Sequence, residues 1–251
     1  MSNLLRRFLS IPLIGRLPVR VCSGIAEGAR WSFFPWTSYW RGTHEPAVQA
    51  RILALKANWT GKHIWDLGSH YGLFAIGLGR RVGATGSVAA FEPNPLSYER
   101  LCLHVRRNQL SHVRTFRLAV SDTAGTQRFF LYEGLETTSS HLAYEGETWN
   151  ESIPTRDVTT VRLDDLVASG EISAPDFVKV DVEGHGHKAL AGAAVTLARS
   201  RPILIIGLHS DAEIAGILAV LNPLRYHITP INPASPVKPT AGHDYLFEPL
   251  H

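Results

Sequence analysis

The sequence predicts an α/β fold in which a mostly parallel central sheet is covered by helices on both faces. Three observations carry this. From residue 45 onward, short apolar runs alternate with longer helical patterns, as in successive strand–helix units. Runs such as Val88-Ala89-Ala90-Phe91 and 202–208 lack the polar alternation of a half-exposed sheet, so both faces of their strands are buried. A turn bounded by Gly68 and Gly72 joins the first such strand to a helix, where glycine permits a tight bend and close approach of a ligand to the backbone.

The bulk properties fit one such domain with a small extension. The chain has 251 residues, 45% apolar and 19% charged, enough for a sizeable core. A net charge of +3 and a pI near 9.0 are too mild to indicate nucleic acid as a partner. Two distant cysteines, Cys22 and Cys102, make no disulfide framework, and a reducing cytoplasm is the simplest compartment. Arg6-Arg7 precede an apolar stretch that Pro12, Gly15 and Arg16 interrupt too early for a signal peptide. No run reaches the roughly 18 apolar residues that a membrane span requires.

Residues 1–42 form a basic, aromatic N-terminal extension to a domain over 43–251. Residues 1–41 hold six arginines against Glu27 alone, a net +5, and Trp31, Phe33, Phe34, Trp36, Tyr39 and Trp40 crowd its end. The expectation is a helical extension with its aromatics packed on the core; the alternative is a surface for a membrane or an apolar substrate. A helix follows over 46–58, with Pro46 in its first turn. Strands are expected at 63–67, 88–92 and 113–120, with helices at 71–81 and from Pro95 to Asn108, the latter capped by Asn94. Between 121 and 165 two strands, 127–132 and 158–163, flank a polar loop. Alternation then resumes: strand 176–182, helix 188–199, strand 202–208, helix 211–221 and strands 226–229 and 245–247. Pro230, Pro233, Pro236 and Pro239 read as a stiff loop before the last strand.

The chemistry concentrates in Ile64-Trp65-Asp66-Leu67-Gly68-Ser69-His70-Tyr71-Gly72. The pattern suits a nucleotide-like cofactor but lacks the middle glycine of the dinucleotide fingerprint, which disfavours a nicotinamide oxidoreductase. Asp66 suits a cationic cofactor such as S-adenosyl-L-methionine, which carries an ammonium and a sulfonium and no phosphate. Glu92 ends the second strand, where a carboxylate can accept the ribose hydroxyls of an adenosine. Gly77 and Gly79 fall inside the following helix and read as close-packing positions.

These pieces, in order, resemble the FkbM-type S-adenosylmethionine-dependent methyltransferase family. The matching stretches are Asp66-Leu67-Gly68-Ser69-His70-Tyr71-Gly72, Phe91-Glu92-Pro93-Asn94-Pro95, Leu118-Ala119-Val120-Ser121-Asp122, Leu163-Asp164-Asp165-Leu166, Val178-Lys179-Val180-Asp181-Val182-Glu183-Gly184 and Leu190-x-Gly192-Ala193. The resemblance covers roughly residues 45–249. It implies a Rossmann-like class I methyltransferase fold and O-methylation of a sugar, glycan or natural product, so that the partner is a hydroxyl-bearing small molecule or glycan. Asp66, Gly68, Ser69 and Gly72 would surround the methionine part of the cofactor. Glu92 would hold the ribose, and Ser121 and Asp122 would lie beside the adenine. Two positions depart from the family: Gly186 and Gly207 stand where acids are usual. A non-catalytic cofactor-binding protein on the same fold is therefore the competing reading.

Deprotonating a hydroxyl acceptor calls for a general base at the strand ends. Asp181, Glu183, His185, His187 and His209 are the candidates. His185 is the first choice because its ordinary pKa lies near neutrality, with Asp181 and His209 beside it. Asp181, Glu183, His185 and His187, at alternate positions, could also bind a metal, but with glycines at 186 and 207 none is expected.

Overall fold

A computed structural model describes residues 17–34, 37–55, 58–131, 140–142 and 153–250. It opens with an antiparallel pair, β1 (Pro18–Arg20) and β2 (Arg30–Ser32), followed by α1 (Pro46–Ala54). The alternating units come next: β3 (His63–Leu67), α2 (Leu73–Val82), β4 (Ser87–Phe91), α3 (Pro95–Arg107) and β5 (Val113–Phe116). Strands β6 (Ala119–Val120), β7 (Gly125–Phe130), β8 (His141–Leu142) and β9 (Thr155–Val161) form a separate four-stranded sheet in the order β6-β9-β7-β8. After α4 (Leu163–Ala168) come β10 (Phe177–Val180), α5 (Gly186–Ala191), α6 (Ala194–Ser200), β11 (Ile203–Leu208), α7 (Asp211–Leu221), β12 (Tyr226–Pro230) and β13 (His243–Pro249).

The main sheet has seven strands in the order β12-β13-β11-β10-β3-β4-β5, and β13 alone runs antiparallel to its neighbours. Strand order reverses between β3 and β10, the place where such sheets bind ligands beyond their carboxyl ends. Burial is two-sided, as the apolar runs require. Successive residues of β3 enter different cores: Ile64 joins Trp31, Ile52 and Leu101, while Trp65 joins Phe91, Leu197 and Phe247.

Several elements differ from the sequence expectation. Among the described residues, the N-terminal extension is a strand pair with turns rather than a helix. Alternation explains this: Arg30 is exposed, while Trp31 is buried in the core and stacks on His104 with ring centroids 3.7 Å apart. Trp36 lies outside the described residues. The strand expected at 113–120 breaks after Phe116, and Ala119–Val120 crosses to the second sheet. The helix expected at 188–199 breaks at Gly192, where a side chain would stand 2.0 Å from the Ser121 carbonyl oxygen. The glycines of α2 are packing positions: a methyl on Gly77 would meet Ile25, and one on Gly79 would meet Val113.

Candidate active site

The cofactor loop is shaped by backbone contacts. Gly68 has φ +82°, and a Cβ there would lie 1.8 Å from the Asp181 carbonyl oxygen. Only glycine lets the end of β3 pass so close to the end of β10. The amides of Gly68 and Ser69 both donate to the Phe91 carbonyl (3.0 and 2.9 Å), tying the loop to β4. Ser69 Oγ donates to the Asp66 carbonyl at 2.8 Å. Gly72, at φ +90°, begins α2 beneath Leu101.

Glu92 follows β4 and is almost fully buried. Its carboxylate accepts the amides of His70 (2.7 Å) and Asn94 (2.8 Å), so it bridges the two loops that follow β3 and β4. Each oxygen retains a lone pair for a further donor. Burial pushes its pKa up to about 7, against the pull of those amides.

These loops border a cavity of about 820 Å³. Its apolar wall includes Phe91, Pro93, Leu118, Val120, Phe129 and Leu142. Tyr39, His44 and Glu45 close it from the N-terminal side. The Tyr39 hydroxyl lies 2.7 Å from His70 Nδ1 and 3.1 Å from His44 Nε2. Glu45, His70 and Glu183 all line the cavity and all have left-handed backbones, at φ 45°, 47° and 49°. Such strain costs of order 1–3 kcal/mol per residue and concentrates at functional sites.

A charged cluster adjoins the cofactor loop at the end of β10, where the Asp181 carbonyl abuts Gly68. Lys179 is buried within β10, and its ammonium lies 3.0 Å from Asp181 and 3.4 Å from Glu45. Burial opposes its charge, but Asp181, Glu45 and Asp66 hold its pKa above the ordinary range. His209 Nε2 lies 3.4 Å from both Asp181 and Glu183, and its Nδ1 lies 3.4 Å from Glu213. Although burial works against the cation, Asp181 and Glu213 push the His209 pKa up to about 10. Asp181 resists the desolvation that would raise it, because Lys179 and His209 hold it well below the carboxylate range. Burial raises Glu183. Asp181, Glu183 and His209 also present donor atoms within 4.8 Å of one another.

His185 stands apart from that cluster. It lines the cavity, and its Nε2 lies 3.0 Å from Ser121 Oγ, which itself donates to Asp122 at 3.1 Å. With the serine hydrogen spent on Asp122, Nε2–H donates to Ser121, leaving Nδ1 as the acceptor. Burial, with Lys188 and His187, lowers its pKa to about 4.

Of the residues expected around the cofactor, Gly68, Ser69 and Glu92 line the cavity. Asp66, Gly72, Ser121 and Asp122 do not; the wall on the β6 side is Leu118, Ala119 and Val120. Asp66 is buried next to Lys179 in the strand register, with no hydrogen-bond partner for either carboxylate oxygen among the described residues. Desolvation raises its pKa to about 6, with Lys179 pulling it back.

The sequence reading passed over Lys179, Glu213, Asp244, Glu45 and Tyr39. Two left a signal: Lys179 interrupts an apolar buried strand, and Ser210-x-x-Glu213 has the spacing of a helix capping box. Glu213 takes the amides of His209 (2.7 Å) and Gly186 (2.8 Å), clamping the loops after β10 and β11. It also explains Gly186, where a Cβ would lie 2.7 Å from Glu213 Oε1. At Gly207 a Cβ would lie 3.2 Å from Asp244 and 3.3 Å from Asp181. Both glycines that replace expected acids are therefore backed by carboxylates from other elements.

A cavity at the switch point of a Rossmann-like sheet, with a strand-end carboxylate on its wall, defines a protein built to hold a nucleoside-type cofactor. Residues 66–228 match the methyltransferase FkbM domain, and the chain belongs to that family. It is 30% identical over 171 residues to the hexuronic acid methyltransferase AglP of Haloferax volcanii, covering 67% of this chain and 66% of that protein. It is 29% identical over 160 residues to the 31-O-demethyl-FK506 methyltransferase FkbM of Streptomyces tacrolimicus, covering 53% and 59% respectively. The alignments thus span less than two thirds of each relative, 66% of one and 59% of the other. The crystal structure of methyltransferase FkbM from Methylobacillus flagellatus superposes with a TM-score of 0.54 at 18% identity, covering 78% of this chain and 45% of that one. That likeness shows the shared fold.

Proposed function

We propose that this protein is an S-adenosylmethionine-dependent O-methyltransferase acting on a hydroxyl of a sugar, glycan or related natural product, in the cytoplasm. The observation that carries the reading is the cavity itself, with Glu92 on the cofactor side and the Asp181–Glu183–His209 cluster adjoining the loop after β3. The domain match and the two relatives, named for a hexuronic acid and for an O-demethylated natural product, support it.

The residues fit the cofactor. Glu92 offers lone pairs to ribose hydroxyls, the apolar wall of Phe91, Pro93, Leu118 and Phe129 suits an adenine, and the orphaned Asp66 carboxylate adds negative potential beneath a cationic ligand. Bound there, S-adenosylmethionine supplies an activated methyl group on sulfur. The protein must then align the acceptor oxygen and receive its proton. We assign that proton to Glu183: it lines the cavity, and burial makes it more basic than an ordinary glutamate. Protonated His209 positions Glu183 and Asp181, and His185 positions the wall through Ser121. No resident metal is part of this reading: Asp181 and Glu183, which would ligate a divalent ion, already pair with Lys179 and His209.

Calorimetry with S-adenosylhomocysteine tests the cofactor side. Glu92→Ala loses charge-assisted hydrogen bonds, about 1.5–3 kcal/mol, and binds roughly ten- to a hundredfold more weakly. Unchanged affinity in a folded variant sinks the ribose assignment. An acceptor screen with methyl-labelled cofactor identifies the hydroxyl compound, and activity there survives a chelator. Loss on chelation with recovery on adding Mg²⁺ would overturn the metal-free reading.

A further inference from the structure

A second, polar cleft lies away from the cavity. Its walls are Arg20, Gly28, Arg30, Arg80, Arg107, Asn108 and Gln109, and it encloses about 480 Å³. Four guanidinium groups face one space, and no acidic residue is among its walls. Arg20, Arg30 and Arg80 are exposed. Three of the four are anchored: Arg20 donates to the Gly28 carbonyl, Arg80 to the Glu27 carbonyl and Arg107 to Ser32 Oγ. Each anchor uses one N–H of a five-donor fork and holds the rest in place, which suits an oxyanion.

The cleft sits at the far ends of α2 and α3. Ser97 of α3 lines the cavity and Arg107 lines the cleft, ten residues apart or about 15 Å along the helix. An anion bound here is remote from the reacting methyl group. The sequence ahead of β1 indicates the kind of anion. Residues 1–16 directly precede β1 and combine Leu4, Leu5, Phe8, Leu9, Ile11, Leu13 and Ile14 with Arg6, Arg7 and Arg16, and Leu17 is exposed at their junction with β1. Apolar residues for an acyl layer beside arginines for its headgroups are the composition of a membrane-surface element. Packing and surface contact, opposed in the sequence reading, occupy opposite faces of one strand pair: Trp31 points into the core while Arg20 and Arg30 stay outside.

We propose that this cleft is a docking site for the phosphate headgroups of anionic phospholipids and holds the protein at a membrane surface. The test is sedimentation of the full chain with phosphatidylcholine vesicles, with and without phosphatidylglycerol. Co-sedimentation is expected with the anionic vesicles only, weakening as salt rises. Each basic residue near such a surface contributes about fivefold to partitioning, so Arg20→Gln with Arg30→Gln should weaken it roughly 25-fold while leaving the melting temperature unchanged. Equal binding to neutral vesicles, undiminished binding by the double variant, or no vesicle binding at all overturns the proposal. So does calorimetric binding of inorganic phosphate without vesicle binding, which would make the ligand a soluble phosphate.

Discussion

The two sides of the cavity are built by different means. The cofactor side is made of backbone: Gly68 passing under the Asp181 carbonyl, and the His70 and Asn94 amides holding Glu92. Its parts lie within two short stretches of chain. The acceptor side is made of charged side chains gathered from Glu45, Lys179, Asp181, Glu183, His209, Glu213 and Asp244. There each group's protonation is set by the others: His209 is held protonated, Asp181 ionised, and Glu183 and Asp244 are raised. The close backbone passage at Gly68 tolerates little substitution, and the cofactor side responds to pH through Glu92, whose pKa burial raises to about 7, whereas the charge cluster draws its groups from several elements and depends on pH throughout. At Gly186 and Gly207 the side chains nearest to an added Cβ are carboxylates from other elements, Glu213 and Asp244.

The comparison can be broken first on the acceptor side. Removing a general base costs roughly 10²–10⁴ in rate, so Glu183→Gln should lose that much kcat while S-adenosylhomocysteine affinity stays the same. Full kcat would remove Glu183 from the chemistry. In the parent protein, activity should rise with pH as the Glu183 carboxyl ionises, with its midpoint above the ordinary glutamate value of 4.5. It should fall again near pH 10, where His209 loses its proton. A profile with no limb at high pH would show that the imidazolium is not required.

On the cofactor side, Gly68→Ala forces an L-residue to φ +82° and a methyl group into the Asp181 carbonyl. A loss of about 3 kcal/mol or more in a urea melt is expected. An unaltered melt would mean that the loop is not held by close backbone passage.

Glu213→Ala leaves the buried amide of Gly186 and the half-buried amide of His209 without their acceptor. At ~1–3 kcal/mol for the buried group and about 1 kcal/mol for the half-buried one, stability should fall by about 2–4 kcal/mol, and the His209 pKa should drop from about 10 when followed by NMR. A drop in stability with the titration unmoved would confine Glu213 to a structural role. The smallest effect belongs to Gly207→Ala. Its methyl would sit 3.2–3.4 Å from the ends of Asp244, Asp181 and His209, which can give by a few tenths of an ångström. A cost below about 1 kcal/mol is expected. A large loss would show that the cluster is packed as rigidly as the loop.

The turn after β3 and the carboxylate after β4 were legible in the sequence because their determinants are local. Gly68, Gly72 and Glu92 stand at fixed offsets from strands whose apolar character is itself visible, and Asn94-Pro95 marks a helix start that the structure keeps, with Asn94 accepting from Leu96 N at 3.0 Å. Of the charge cluster, Asp181 and Glu183 were legible from the motif that follows β10, and His209 from its place after β11. Asp244 reaches the cluster because β13 runs antiparallel to β11 and sets it opposite Gly207. Glu45 reaches it from a left-handed turn ahead of α1. Neither placement follows from any spacing along the chain.

By itself the sequence determined the α/β class, the two-sided burial of the sheet and the position of the glycine turn after β3. These depend on periodicity, helix caps and glycine conformations, which act over a few residues. Only the tertiary structure decided that the described part of the extension, from residue 17, holds a strand pair sharing the core of α2, that Glu213 and Asp244 stand behind two glycines, and that the surrounding charges favour a proton on His209 while burial disfavours one on His185. Burial and the Coulomb fields of groups distant in sequence set those outcomes, and both arise only once the chain has folded.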